Sequence, residues 1–403
     1  MTAEDSYQRH HTPASEIEHR IARLQEGLRR ENREAALIVQ NVDLYYFTGC
    51  LQAGVLFVPA EGAPLFMVQR SLERARQESP LASITGISSI SQAPEMIAAS
   101  AGHLPRSIGM ELDVLPVNMY RKYVSLLHDP EIFDASPLIR KIRAVKSEFE
   151  IEVLSRVGEL GRIVYDEAAN FIVEGASEIE VAGKMVDYAI SLGHLNQLRS
   201  RAFNSEMFTW HVVSGDNGGI VGHLDAPFTG QGVTPAFPAG SGFRKIKQGD
   251  PVLIDFGTCI DGYIADQTRM FSLGRPDSLF LKAYDALREI EARILEQTRP
   301  GASCDKLYRV GVAAGDELGF ADAFLGPGNR KIKFVGHGVG LEIDEFPFLA
   351  AGHEYPLEPG NVFALELKMV FPGKGAVGFE NMVAVTKDGW TKLTTTDENF
   401  KIL

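Results

Sequence analysis

The chain has 403 residues, of which 45% are hydrophobic and 23% charged, the balance of an ordinary globular protein of two or three domains. Its formal net charge of −13 argues against a nucleic-acid or anionic-membrane partner. No window approaches the roughly 18 apolar residues of a transmembrane helix, and the polar start, MTAEDSYQRHHTPASE, lacks the apolar core of a signal peptide. Cys50, Cys259 and Cys304 show no paired spacing and read as free thiols of a reducing compartment, so the expected location is the cytoplasm.

Taken in order, Ile17, Ile21, Leu24 and Leu28 have helical spacing and predict an amphipathic helix over 17–33. A short buried strand follows at Ala36 to Val39. GVLFVP and PLFMV flank Ala60-Glu61-Gly62-Ala63 as a hairpin. Strand-like and helix-like runs alternate to about residue 135, which predicts an α/β domain over 1–137. No convergent set of polar residues stands out in it, and Tyr45 and Tyr46 read as core or rim packing. A boundary near Pro137 opens a second domain, 138–403. There Ser147 and Glu150 form a capping box that starts a long helix ending near Phe171.

An internal repeat follows. Gly-Ala-Ser recurs at 175–177 and 301–303 and Leu-Gly at 192–193 and 318–319, both at an offset of 126 residues. In each copy a Ser can cap a helix and a Gly can end it. The repeat predicts an α+β domain with a pseudo-twofold axis, helix 178–192 matching helix 305–318, and a site between the halves. Between the copies, APFTGQGVTPAFPAGSG reads as a loop or flap.

Val252 to Gly274 reads as two strands joined by Asp261-Gly262, a type I′ turn signal. Centring the turn there pairs Asp255 with Thr268 and sets Asp266 on the face of Asp255, the diagonal spacing being about 7–8 Å. Alone, the two aspartates suit an exposed hairpin. Downstream, however, His337 stands between glycines that permit close approach, and two further strands carry Glu366 and Glu380 in the same paired arrangement, with Gly373, Gly375 and Gly378 turning one into the other. A buried unpaired carboxylate costs several kcal/mol. Four carboxylates and one imidazole suit two divalent ions, Mn²⁺, Co²⁺ or Fe²⁺ ahead of a structural zinc.

These blocks resemble metallopeptidase family M24, which includes Xaa-Pro dipeptidase (prolidase), aminopeptidase P and creatinase. IRKIRAVKSEFEIE is similar to the start of its catalytic domain, GDPVLIDFG through DQTRMF to its first ligand block, GHGVGLEIDEFP to its His block, and VFALE with GFENMVAVTKDG to its two Glu blocks. The resemblance implies a "pita-bread" catalytic domain behind a creatinase-type N-terminal domain, and a homodimer acting on a small peptide or other small molecule. It implies Asp255, Asp266, His337, Glu366 and Glu380 as ligands of two divalent ions per chain (Mn, Co, Fe or Zn, manganese first), with Glu366 also as general acid/base. The implied reaction is hydrolysis of a peptide bond near proline by a metal-bridging water.

The departures concern the substrate groups. Asp344 stands where a second His is usual, seven residues after His337; Gly378 stands where an Arg is often found; and Lys368 stands where a small residue or Pro is usual. Asp344 and Lys368 are therefore the candidate substrate-binding residues. The remaining catalytic His corresponds to His223, although 32 residues separate it from Asp255; His211 is the rival, since 126 added to it gives 337. His223 is preferred. Alternatives are a creatinase-like C–N hydrolase or a lyase acting on a small polar molecule, and a binding protein on a scaffold that no longer catalyses. The last is disfavoured by the complete ligand set.

Overall fold

The computed structural model describes residues 10–201, 203–207 and 210–403; the first nine residues of the polar N-terminal stretch lie outside them. The chain divides into two compact units.

The first unit comprises residues 8–143 with 201–204. It opens with α1 (Ala14–Arg30), which turns Ile17, Ile21, Leu24 and Leu28 inward as their spacing requires. Then come β1 (Ala35–Ile38), α2 (Asn41–Thr48), β2 (Gly54–Pro59), β3 (Leu65–Val68), α3 (Leu72–Glu78), β4 (Ile84–Gly86), α4 (Ala93–Ala101), β5 (Ser107–Met110), α5 (Val117–Leu126), β6 (Glu131–Asp134) and α6 (Ser136–Ala144). The strands form one sheet in the order β4-β3-β2-β1-β5-β6. β2 and β3 are the antiparallel hairpin read from the sequence. Tyr46 is buried, with Arg20 stacked 4.1 Å over its ring. Asp43, fully buried, is held by Arg143 at 2.8 Å and Arg201 at 2.7 Å, so this charge is compensated from two sides.

The second unit begins with α7 (Glu148–Phe171), capped by Ser147 and Glu150 in the reciprocal box. α8 (Glu178–Ser191) and β7 (Trp210–Ser214) follow. β8 (Pro251–Phe256), β9 (Thr258–Ile260), β10 (Tyr263–Ala265) and β11 (Thr268–Ser272) form the interrupted hairpin, and α9 (Ser278–Gln297) and α10 (Cys304–Glu317) follow it. β12 (Phe334–Gly338), β13 (Glu345–Ala350), β14 (Val362–Phe371), β15 (Gly375–Val385), β16 (Trp390–Lys392) and β17 (Lys401–Ile402) complete the chain. α8 and α10 begin and end 126 residues apart, the offset of the sequence repeat.

Nine strands make one sheet, with the path β13-β12-β14-β15-β11-β8-β7 and with β16 on β15 and β17 on β11. Strand alternation sorts its faces. Val252, Ile254 and Phe256 of β8 pack with residues of α7 and α8, and Phe363, Leu365, Leu367 and Met369 of β14 pack with residues of α9 and α10. Asp255 and Glu366, at the intervening positions, point to the other face. The two helix pairs therefore back the sheet, and its opposite face carries the acids beside the buried Val213, Leu253 and Met270. This is the fold expected: an α/β N-terminal domain before a pita-bread domain with an internal repeat. One turn is corrected. Gly373 and Gly375 lie at the β14–β15 turn, but Gly378 lies inside β15, paired with Lys368.

Candidate functional site

The hairpin register was legible. Asp261 and Gly262 both have positive φ, 52° and 84°, as the tight turn requires, and Thr268 pairs with Asp255. The ladder breaks on both strands, at Gly257 and at Asp266-Gln267, then resumes in the same register as β9 with β10. Tyr165 of α7 patches the break: its hydroxyl donates to the Gln267 carbonyl and receives the Phe256 N–H at 3.0 Å. The Phe256 N–H also reaches the Gln267 carbonyl at 3.2 Å, so Asp266 sits at an irregularity that a side chain from the helical layer braces.

Pairing runs on across the sheet. His211 of β7 pairs with Asp255, Asp255 with Thr268, Thr268 with Glu380, and Glu380 with Glu366. Directly paired residues share a face, so these five form one polar row across five strands. Thr268 Oγ1 donates to Glu380 Oε2 at 2.7 Å, a contact the sequence reading did not assign. His337 of β12 enters from beyond Glu366, its Nε2 lying 3.9 Å from Asp266 Oδ2 and 3.9 Å from Glu366 Oε2. Its Nδ1–H donates to the Ile343 carbonyl at 2.9 Å, which fixes the ring and turns Nε2 to the carboxylates. The flanking glycines serve neighbouring backbone and not a ligand shell: a Cβ on Gly336 would lie 2.5 Å from the Ala364 carbonyl oxygen.

The electrostatics match the crowding. Burial and the Asp255 carboxylate push Asp266 up to about 7. Burial, then Asp266, Glu366 and Asp255, hold Glu380 well above the ordinary carboxylate range. Burial opposes charge on His337, but Asp344, Glu366 and Asp266 outweigh it and raise that group. One triad is Asp266, His337 and Glu380; a second is Asp255, Glu366 and Glu380; within each, one donor atom per residue lies within 4.8 Å of the others. Glu380 Oε1, common to both triads by residue, is buried with no hydrogen-bond partner, which a cation would satisfy. The first triad, two carboxylates and an imidazole, fits a divalent ion by donor chemistry.

Three assignments need revising or locating. His223 is exposed on the loop after β7, edge-on to Phe237 with centroids 6.5 Å apart. His211 instead is buried beside Asp255, its Nε2 2.9 Å from the Thr229 carbonyl. Burial lowers its affinity for a proton, so the ring is neutral and Nε2–H donates to that carbonyl. The structure thus sets His211, and not the preferred His223, beside the carboxylate row. Alternation within WHVVS, a His in an apolar strand, was the available signal; the strand pairing that makes it matter was not visible. Lys368, expected to bind substrate, is engaged by the acids themselves. It is 2% exposed, its Nζ bonds Asp255 Oδ2 at 2.6 Å and also Glu366 Oε1, and so it faces the carboxylates. Asp344 is exposed, with Oδ1 3.4 Å from His337 Nδ1.

A sheet backed by paired helices, with a buried row of carboxylates and two oriented imidazoles, His211 and His337, on its other face, has the donor set of a divalent-cation site. The match to the metallopeptidase family M24 covers residues 152–387 and that to the creatinase/prolidase N-terminal domain residues 20–145, and the chain belongs to family M24. Similar proteins include the Xaa-Pro dipeptidase of Pyrococcus horikoshii, 26% identical over 381 residues, 94% of this chain and 97% of that one. The probable dipeptidase PepE of Mycobacterium bovis is 28% identical over 367 residues, 88% of each chain. Among solved structures, the Xaa-Pro dipeptidase from Bacillus anthracis superposes with a TM-score of 0.81 at 24% identity, over 96% of this chain and 100% of that one. The prolidase from Pyrococcus horikoshii gives 0.78 at 24%, over 94% and 99%. Among the described residues no helix is long and apolar enough to cross a membrane.

Proposed function

We propose that the protein is a metal-dependent peptidase of the Xaa-Pro dipeptidase type, cleaving the peptide bond before proline in a short peptide. The observation that carries this reading is the row Asp255–Thr268–Glu380–Glu366 with His337 beside it, on a chain of family M24. Asp266, His337 and Glu380 would hold a divalent ion, manganese first. A bound ion would polarise the scissile carbonyl and acidify a water. Glu366, oriented by its bond from Lys368, takes the proton of the attacking water and passes it to the leaving nitrogen. His211, at the β7 end of the row, takes the catalytic role first given to His223.

A second reading, a C–N hydrolase or lyase acting on a small polar molecule, is favoured by Asp344, which offers an acceptor and a negative charge beside His337. The two readings separate on substrate. Mn²⁺-loaded protein is assayed on Xaa-Pro dipeptides, longer Xaa-Pro peptides and small amidino or amino compounds, with Asp344→His alongside. The first reading expects turnover of Xaa-Pro dipeptides that rises in Asp344→His. No turnover of any Xaa-Pro peptide by either protein would sink it in favour of the second.

We further propose a cytoplasmic homodimer. The cysteines are all free and buried, which suits a reducing compartment. Light scattering that gives the mass of a single chain would remove the dimer.

A further inference from the structure

Lys368 and Gly378 were noticed separately in the sequence, yet they face each other across β14 and β15. A Cβ on Gly378 would lie 2.6 Å from Thr268 Cγ2, 2.8 Å from Leu253 Cδ1 and 3.4 Å from Lys368 Cγ, so the space over this glycine is filled partly by the lysine stem. The stem carries Nζ along the polar row to Asp255 Oδ2, 2.6 Å away, and to Glu366 Oε1. Those are two of the three carboxylates of the second triad, and the third, Glu380, also acts on the ammonium. The Phe228 ring, itself buried, closes over Nζ at 5.8 Å from its centroid.

We infer that the Lys368 ammonium takes the place of one of the two cations, so that the chain binds a single divalent ion, at Asp266, His337 and Glu380. Three observations converge on this. Asp255 and Glu366 already have a cation, tethered and therefore always present. Both carboxylates bonded to the lysine belong to the cluster, so a second ion would displace the ammonium from its partners into a buried place without compensation. The charge count agrees. Four carboxylates and one ammonium leave three negative charges. One dication nearly neutralises them, while a second would make the cluster positive with two cations in contact. Lys368 is on this view a positioning residue: it fixes Asp255 and Glu366 as a metal would, and contributes no open coordination position.

The inference rests on the metal-dependent reading above, and the test separates the two. Wild type and Lys368→Met are dialysed against graded Mn²⁺, and bound metal per chain is measured by elemental analysis. The same samples give electron paramagnetic resonance spectra, in which neighbouring Mn²⁺ ions show spin coupling and a lone ion does not. Wild type should saturate at about one ion with an uncoupled spectrum, and Lys368→Met at about two with a coupled one. Two coupled ions in wild type would overturn the inference and leave metal dependence standing. No bound ion in wild type would overturn both. If Lys368→Met fails to fold, as circular dichroism would show, the wild-type stoichiometry and spectrum still decide.

Discussion

His211 and His223 make a direct comparison of two rings, one buried against Asp255 and one exposed on a loop. His211→Ala should lower kcat on a Xaa-Pro dipeptide by roughly 10²–10³, the usual effect of losing one polar group at the reacting centre, with bound metal unchanged. His223→Ala should stay within a few-fold of wild type. The reverse order would restore the assignment read from sequence spacing. The carboxylates were easier to read than this His because a two-residue turn fixes register locally: Asp255 opposite Thr268 follows from Asp261-Gly262 alone. His211 reaches Asp255 only through a pairing that spans a long Gly/Pro-rich loop, which no local signal specifies. The crowded acids also set a pH dependence. Asp266 rises on folding from 3.8 to about 7, and Glu380 shifts in the same direction. A carboxyl so raised contributes stability that is complete below its unfolded value and lost as pH rises through the folded one. Chelated protein should lose that contribution between pH values of about 4 and about 7, whereas a bound divalent ion favours the ionised forms. The Tm difference between Mn²⁺-loaded and EDTA-treated protein should therefore widen as pH is raised over this window. A constant difference would show that these acids do not titrate together in the folded chain.

Among the elements, the helices with strong end signals were legible and those without were not. The Ser147–Glu150 box fixed the start of α7 and a capping Ser that of α8, where both capping boxes are formed, and the repeat offset located α10. α2 was missed because it is short and carries aromatics on all sides, so it has no apolar stripe; its cap comes from Gln40, which accepts from Asp43 N–H at 2.8 Å. α6 was missed because Arg and Lys alternate with its few apolar residues in a short segment, although Arg143 is a buried partner of Asp43. The hidden function of α8 lies in its first residue. Glu178 is fully buried and accepts from Ser214 N at 2.6 Å, Ser214 Oγ at 2.8 Å, Asn217 Nδ2 at 2.6 Å and Gly242 N at 3.0 Å. It ties the end of β7, the strand of His211, to the loop that follows. In Glu178→Gln an amide N–H₂ would replace one acceptor and meet donors already aimed at it. Each buried donor left without a partner costs about 1–3 kcal/mol. Glu178→Gln should therefore lose roughly 2–4 kcal/mol in denaturant unfolding, and kcat should fall as β7 shifts. Unchanged stability would mean that water or a rearranged loop takes over these donors.

At the scale of the whole molecule, the order of strands and helices was readable as α/β followed by α+β, but the sheet order was not. β13, β12 and β14 lie together at one end of the path and β7 and β8 at the other; pairings between strands far apart in the chain leave no periodic trace. The central position of β11 and β15 brings the acids of both hairpins together, through the single paired position Thr268–Glu380. The two compact units have separate cores, one from β1 to β6 in the first and two clusters within 144–403 in the second, and every candidate ligand belongs to the second. A ligand stabilises only the cooperative unit whose folded form binds it. Calorimetry should thus resolve two transitions, with Mn²⁺ moving one of them. At a free concentration about a hundredfold above Kd the gain is about 2.7 kcal/mol. At about 2–4 °C per kcal/mol for a domain of this size, that transition should rise by roughly 5–10 °C. The other should stay within a degree or so, since the first unit's sheet and helices hold no part of the cluster. Asp266→Asn should abolish the movement while leaving both transitions visible, because it removes a ligand and relieves the crowding of buried carboxylates in the same step. If Mn²⁺ instead moves a single transition that carries the whole unfolding enthalpy, the two units unfold as one, and metal bound at the sheet of the second also holds the first.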